Sequence, residues 1–218
     1  MPPSENISRV YTSRRETRAF YDRISGFYDA LSARSEAPVR AAAVEMLQPA
    51  EGEWILEVGS GTGHGLAAFG SRAGSGGRVV AVDLSERMIE RARALASAYP
   101  VDFVCGDGLC LPIRSGTFDA VFMAFTLELF DTPEIPGVLG ECRRVLKPGG
   151  RAAFAAVSKD GPGSVKLRTY EWMHRHLPAV VDCRPIFLGR AVESAGFRVA
   201  QRRIAEMWVP VEIVLARP

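Results

Sequence analysis

The segment Trp54–Gly63 reads Trp-Ile-Leu-Glu-Val-Gly-Ser-Gly-Thr-Gly, and it decides the fold. Its first half is a short apolar run that predicts a β-strand ending at residue 58. Its second half is a glycine cluster, where the backbone can turn sharply and approach a ligand closely. Further apolar runs separated by amphipathic helical segments predict more strands, at residues 78–82, 101–105, 118–125 and 151–157. Repeated strand–helix–strand units predict a parallel sheet with helices on both faces.

The end of the chain has a different pattern. A helix is expected over residues 186–195, and two strands follow at residues 197–205 and 208–215 with only a short link between them. A link that short forces the two strands to run antiparallel. The predicted fold is therefore α/β and Rossmann-like. It is a doubly wound, mostly parallel seven-stranded sheet with a C-terminal antiparallel hairpin.

The beginning of the chain is predicted to be helical. Apolar residues recur there at steps of three and four, which places them on one helical face: Phe20, Tyr21, Ile24, Phe27, Tyr28 and Leu31. A second helix is expected over residues 39–47, before Pro49. The chain reads as one domain, with a helical lid at residues 1–50 and the sheet-bearing part at residues 51–218. An insert at residues 158–185 follows the fifth strand.

The composition excludes several classes of protein. The chain has 218 residues, 47% of them hydrophobic, and a net charge of +2, which argues against a nucleic-acid partner. No apolar run reaches the roughly 20 residues that span a bilayer, and the first residues lack the apolar core of a secretory signal. The four cysteines form no C-x-x-C pair, so a zinc ribbon is not expected. These features together predict a cytoplasmic protein.

The glycine cluster does not fit a dinucleotide-binding loop, whose fingerprint is G-x-G-x-x-G. Counted from Gly59, the last glycine is replaced by His64, and counted from Gly61 it is replaced by Leu66. Glu57 also precedes the loop, where its charge would repel a pyrophosphate. An oxidoreductase on a similar sheet is therefore the weaker alternative.

Two carboxylates follow the next strands of the predicted sheet. Asp83 ends the second strand, where an acidic residue can accept hydrogen bonds from both ribose hydroxyls. Asp107 follows the third strand, where it could accept from an adenine amino group. Together with the glycine cluster, these strand ends predict a pocket for a nucleoside without phosphates.

These residues resemble the class I S-adenosylmethionine-dependent methyltransferases. Segment 57–63 is similar to the first motif of that class, and Asp83 and Asp107-Gly108 are similar to the second and third. Segments 118–121 and 145–150 resemble the later signatures, at matching spacing. The resemblance covers about residues 50–158. It implies S-adenosyl-L-methionine as the methyl donor and S-adenosyl-L-homocysteine as the product.

Within that class, segment 21–29 resembles the N-terminal signature of the ubiquinone/menaquinone C-methyltransferase-like (methyltransferase type 11) group. The resemblance implies a helix that closes over the cofactor. It also implies the residues that contact the cofactor, which are Tyr21, Glu57, Gly59, Gly61, Thr62, Gly63, Asp83, Leu84, Asp107, Gly108 and Ala124. That group often has a small polar residue where this chain has Ala124.

A sulfonium is already an activated leaving group, so positioning the acceptor is the main task, and a base is needed only for a proton of high pKa. The candidate catalytic residues are Glu128, after the fourth strand, and His64, beside the glycine cluster. A solvated loop carboxylate and a helix-starting residue are the plain alternatives for these two.

Candidate substrate residues are Tyr28, His174 and Asp182, for which core packing or surface roles are the alternatives. Asp182 belongs to a polar turn with Arg184 that could line the acceptor pocket. No metal site is expected, because a helix would turn His174 and His176 nearly 200° apart.

The expected acceptor is a small molecule, with a quinol-type or lipid-like compound as the first hypothesis. A phospholipid amine or a secondary metabolite is the alternative, and a non-catalytic S-adenosylmethionine-binding protein is a further one. Four arginines could give a weak peripheral membrane contact through anionic headgroups, or could simply be solvated: Arg9, Arg14, Arg15 and Arg18. The sequence does not define an oligomeric state.

Overall fold

The computed structural model describes residues 7, 9–10, 12–26, 34–160, 165–176 and 183–218. Its strands are β1 (Trp54–Val58), β2 (Arg78–Asp83), β3 (Val101–Cys105), β4 (Phe118–Ala124), β5 (Leu146–Val157), β6 (Arg198–Glu206) and β7 (Pro210–Arg217). Its helices are α1 (Arg14–Ile24), α2 (Arg34–Leu47), α3 (Leu66–Ala73), α4 (Glu86–Leu95), α5 (Ile135–Val145), α6 (Val165–His176) and α7 (Leu188–Ser194). A short 3-10 turn covers Leu127–Leu129.

The strands form one seven-stranded sheet in the order β3-β2-β1-β4-β5-β7-β6. The first five strands are parallel to one another, and β7 is antiparallel to both β5 and β6. The predicted doubly wound sheet with a terminal hairpin is therefore confirmed. The strand order reverses between β1 and β4, and in such sheets ligands bind beyond the carboxyl ends of the strands at this point.

Several predicted strand boundaries were wrong, among them the following three. β5 begins at Leu146, which pairs with Phe118, and the register shifts before Arg151 pairs with Ala120, so this strand starts with a bulge before the predicted residue 151. β4 ends at Ala124 because Phe125 has a left-handed φ of 54°. β7 begins at Pro210, and Trp208 lies in the bend before it with half of its surface exposed.

Two apolar cores cover the two faces of the sheet, because successive strand residues point to opposite faces. On one face α5 and α7 pack against Leu56 and Val58, and on the other α2, α3 and α4 pack against Ile55. The buried apolar residues of α2 are Val39, Ala43, Val44 and Leu47. The cores fix the sheet, and with it the loops at the carboxyl ends of the strands.

The N-terminal helices differ in extent from the prediction. Ser13 caps α1 through a capping box with Glu16, which fixes the start of that helix. α2 begins at residue 34, earlier than expected. Residues 27–33 lie outside the described part of the chain, and so does the second half of the predicted apolar face. None of the described helices is long and apolar enough to cross a membrane.

Candidate functional site

A cavity opens at the carboxyl ends of the parallel strands, where the strand order reverses. The structure brings most of the predicted cofactor residues to its lining: Tyr21, Gly59, Gly61, Thr62, Asp83, Leu84, Asp107, Gly108 and Ala124. His64 also lines this cavity, with an exposed side chain. Residues far apart in the sequence thus converge on one site.

The glycines after β1 differ in how much space surrounds them. Gly59 has a φ of 71°, and a Cβ there would lie 2.3 Å from the Thr126 side chain. Gly63 has a φ of 89°, and a Cβ there would lie 2.9 Å from the Ala92 Cα atom of α4. Gly61 differs, because a Cβ there would meet nothing within 4 Å. The loop is therefore held between β4 and α4, and it opens into the cavity at Gly61.

Asp83 fixes this loop and also faces the cavity. Its Oδ2 atom accepts a hydrogen bond from the Gly61 N–H at 2.8 Å, and its Oδ1 atom accepts from the Ser85 N–H at 2.9 Å. Burial raises the pKa of Asp83, while these backbone N–H groups oppose the rise. Each carboxylate oxygen has more than one lone pair, so both can accept a further hydrogen bond from a ligand.

Glu57 and Gly63 are not among the residues that line the cavity, but Glu57 is the most unusual titratable group beside it. Its side chain is only 1% exposed, and neither carboxylate oxygen has a hydrogen-bond partner among the described residues. Burial raises its pKa to about 8, and the nearby Asp83 adds to the rise. Arg40 opposes it, with Nη1 3.9 Å from Oε1 of Glu57. A buried polar group without a partner calls for an explanation, and a cationic ligand is one.

Arg40 was not predicted from the sequence to be a site residue. It lies on α2, lines the cavity and is held by an ion pair of 2.8 Å with Glu36 one turn earlier. That spacing of four residues was the available signal. The site therefore presents a guanidinium and a carboxylate close together beside the glycine loop.

Asp107 has a partner that the sequence did not predict. Its Oδ1 atom accepts from the Leu109 N–H at 3.0 Å, and its Oδ2 atom lies 3.0 Å from Nε of Arg14 on α1. Arg14 also pairs with Glu134 at 2.6 Å and stacks over the ring of Phe130 at 4.3 Å. One end of α1 is therefore held at the cavity rim.

The rest of α1 is held at the opposite rim. The Ser85 hydroxyl donates to Asp22 at 2.6 Å, and Arg18 pairs with Glu86 at 3.0 Å. Arg9, before the helix, pairs with Asp131 at 2.6 Å and lowers the pKa of that carboxyl to about 2. Three of the arginines for which contact with lipid headgroups was one hypothesis thus each lie beside a carboxylate of the chain: Arg9, Arg14 and Arg18.

The segment after β4 forms an apolar wall of the cavity, through Ala124, Phe125, Thr126, Leu129 and Phe130. Of these residues only Ala124 was predicted. The available signal was their position after the strand that neighbours β1 at the switch in strand order.

Several predicted residues lie elsewhere. Glu128 is fully buried, accepts from the Val157 N–H at 3.1 Å and is not among the residues that line the cavity. His174 is buried on α6 away from the cavity lining, whereas His176 is exposed. Tyr28 and Asp182 lie outside the described residues. Within the described part of the chain, no three His, Cys, Asp or Glu side chains are grouped to hold a metal ion.

Known proteins share these features. Residues 55–150 match the family model described as a methyltransferase domain. The chain is 38% identical to the demethylmenaquinone methyltransferase of Clavibacter sepedonicus, over 86% of this chain and 84% of that protein. It is 32% identical to the 2-phytyl-1,4-naphtoquinone methyltransferase of Synechococcus elongatus, over 71% of this chain and 68% of that protein.

A solved structure supports the same fold. The 1,6-didemethyltoxoflavin-N1-methyltransferase of Burkholderia thailandensis, with bound 1,6-didemethyltoxoflavin and S-adenosylhomocysteine, superposes with a TM-score of 0.71 at 21% identity. The superposition covers 97% of this chain and 94% of that chain. The protein is an S-adenosylmethionine-dependent methyltransferase; the chain belongs to the class I family of these enzymes and resembles its ubiquinone/menaquinone C-methyltransferase-like group.

Proposed function

We propose that this methyltransferase methylates a quinol-type small molecule in the cavity between α1 and the apolar wall. The observation that carries the acceptor class is the 38% identity, across most of both chains, with a demethylmenaquinone methyltransferase. The apolar wall at Phe125, Leu129 and Phe130 supports it, because a flat aromatic acceptor gains most from apolar surroundings.

The residues that line the cavity, together with Glu57 beside it, fit S-adenosylmethionine at both of its ends. The unpartnered carboxylate of Glu57 and the guanidinium of Arg40 match the ammonium and carboxylate of a methionyl group. The open space at Gly61 leaves room for this group against the loop backbone. Asp83 would accept from the ribose hydroxyls, and Asp107 would face the adenine together with Arg14.

When bound, the sulfonium would supply an activated methyl group. The chain itself positions the acceptor and excludes water. α1 covers the cavity through ion pairs at both rims, which keeps water from the reacting atoms. The wall holds the acceptor in line with the methyl group, where orientation lowers the barrier most. The acceptor loses one proton in the reaction. His64 is the candidate to take it, because its imidazole lines the cavity and histidine is the side chain that most often transfers protons in catalysis.

The proposal is tested by supplying the purified protein with S-adenosylmethionine and separate acceptors under anaerobic reducing conditions. A demethylated naphthoquinol, a phosphatidylethanolamine vesicle and a phenolic metabolite are compared by S-adenosylhomocysteine formation. We expect the naphthoquinol to be methylated at least ten times faster than the other two. A preference for the vesicle or the phenol would overturn the quinol assignment. Turnover with none of the three would also overturn the quinol assignment, because the acceptor would then belong to another chemical class.

The role of His64 has a matched control in the same chain. His64→Gln is expected to lower the rate by about 10²-fold, a typical loss for a general base. His176→Gln, on exposed α6, should leave the rate unchanged. Equal rates for His64→Gln and the wild type would remove His64 from the mechanism.

A further inference from the structure

Arg184 is a fully buried arginine behind the apolar wall of the cavity. Its guanidinium donates to three acceptors of one loop. Nε donates to the Glu128 carbonyl at 3.2 Å, Nη2 to the Phe130 carbonyl at 2.6 Å, and Nη1 to the Thr132 hydroxyl at 3.0 Å. It is not among the residues that line the cavity, so it reaches the site only through this loop.

The loop that Arg184 holds is the wall itself. It leaves β4 through the left-handed Phe125 and passes through the 3-10 turn Leu127–Leu129. The carbonyls of such an irregular segment point in different directions, and the fixed fork of a guanidinium can satisfy several of them at once. Arg184 thereby donates hydrogen bonds to the carbonyls of this loop, as a neighbouring strand does to the carbonyls of β4.

Arg184 is itself firmly anchored to the sheet. The Ile186 N–H donates to the Val157 carbonyl at 2.9 Å, and the Lys159 N–H donates to the Ile186 carbonyl at 2.9 Å. The segment carrying Arg184 thus pairs with the residues at the end of β5. Movement of the wall would have to break contacts with a part of the chain that is continuous with the core.

Charge also ties Arg184 to this loop. Burial lowers the pKa of Arg184, and the negative charges of Asp131 and Glu128 oppose that shift. The buried Glu128 is bound at Oε1 by the Val157 N–H. Glu128 therefore serves as counter-charge to Arg184, in place of the catalytic role that its position in the sequence suggested.

We propose that Arg184 is a positioning residue that sets the place of Leu129 and Phe130 and thereby determines the fit of the acceptor. This inference rests on the proposed function only in taking the wall as the acceptor side of the cavity. The cofactor contacts proposed above come mainly from the loops after β1, β2 and β3, which Arg184 does not touch.

The test compares Arg184→Lys, Arg184→Met and the double variant Arg184→Met/Glu128→Gln, which removes the buried charge left without its counter-ion. Arg151→Met is the matched control, because Arg151 also donates to two carbonyls, those of Leu47 and Gln48, on the side of α2. Each protein is titrated with S-adenosylhomocysteine and assayed with the reduced demethylated naphthoquinol. Hydrogen exchange of residues 125–132 is measured in parallel.

We expect the Arg184 variants that fold to raise the acceptor KM at least tenfold, with the affinity for S-adenosylhomocysteine changed less than threefold. Lysine should fail to restore the KM, because it lacks the fork. Faster exchange at residues 125–132 should accompany the change, while Arg151→Met lowers stability without moving the KM. Equal losses of acceptor and cofactor binding, or an unchanged KM in the double variant, would overturn the proposal.

Failure of this inference can be told apart from failure of the proposed function. If the wild type does not methylate the naphthoquinol, the quinol assignment fails, and the exchange measurement still tests Arg184. Unchanged exchange at residues 125–132 in the double variant would then overturn the positioning role by itself.

Discussion

Arg40 of α2 places Nη1 3.9 Å from Oε1 of Glu57 on β1, beside the glycine loop. Arg40 is positively charged, and the Glu57 carboxyl becomes negative only when it loses its proton; at this separation the two groups form no direct hydrogen bond. Removing a carboxylate from water is costly, and a cation at this distance offsets only part of the cost. The pair is therefore suited to accept a zwitterionic ligand, whose own charges complete both partners.

The first prediction concerns the stability of the protein without ligand. The pKa of Glu57 rises from 4.5 to about 8 on folding, so between these values the folded chain keeps a proton that the unfolded chain has lost. The stability that the protonated Glu57 side chain contributes is fully present below pH 4.5 and is lost as the pH rises to about 8. Glu57→Gln should flatten this decline, which is at most about 1.4 kcal/mol per pH unit. Urea unfolding from pH 5 to 8 measures the difference, and parallel curves would contradict the buried neutral carboxyl.

The second prediction concerns protons released by ligand binding. An ammonium group next to Glu57 stabilises the carboxylate, so binding near pH 7 should displace the proton. Titration with S-adenosylmethionine in buffers of different ionisation enthalpy should show proton release by the wild type. The Glu57→Gln protein should release less. Equal release from both proteins would mean that the ammonium group lies elsewhere.

The third prediction separates Arg40 from the rest of the site. Arg40→Met should weaken S-adenosylmethionine binding by about 10- to 100-fold, since a charge-assisted contact with the carboxylate is lost. Decarboxylated S-adenosylmethionine lacks that carboxylate and should bind both proteins with the same affinity. Calorimetry on the wild type and Arg40→Met, each with both ligands, isolates the interaction between Arg40 and the ligand carboxylate. A similar loss with both ligands would assign Arg40 a role in the fold alone.

The fourth prediction concerns Asp83. Asp83→Ala should weaken binding of S-adenosylhomocysteine by about 1–3 kcal/mol, because hydrogen bonds to the ribose hydroxyls disappear. Asp102→Ala is the control, since Asp102 pairs with Arg78 on the exposed surface. Calorimetric titration measures the affinity of both variants for S-adenosylhomocysteine. Unchanged affinity for Asp83→Ala would refute the ribose contact.

The fifth prediction uses two glycines of the same loop. Alanine at either Gly59 or Gly61 must adopt a left-handed backbone, at a cost of about 1–2 kcal/mol. Gly59→Ala also places its Cβ against Thr126, which should destabilise the fold by about a further 1–3 kcal/mol. Gly61→Ala meets no neighbour and should mainly reduce cofactor affinity. Thermal unfolding and titration measure both effects, and equal unfolding temperatures would contradict the loop geometry.

Local patterns predicted the parts of the fold and site that short segments encode. The apolar run before Gly59 and the carboxylates at strand ends needed only the rule that parallel strands end at one edge of the sheet. Arg40 and Arg14 could not be placed this way, because they approach the site from helices whose docking depends on tertiary packing. Glu128 follows the right strand, but Arg184, which explains its burial, lies 56 residues away in the sequence.

The most direct test of this account uses S-adenosylmethionine with a deuterated methyl group and the reduced demethylated naphthoquinol as acceptor. Mass spectrometry of the product and of S-adenosylhomocysteine follows one labelled methyl group per turnover. We expect equal amounts of the two products, with the label on a ring carbon. Formation of neither product by a protein that binds S-adenosylhomocysteine, or label found only on another acceptor, would contradict it.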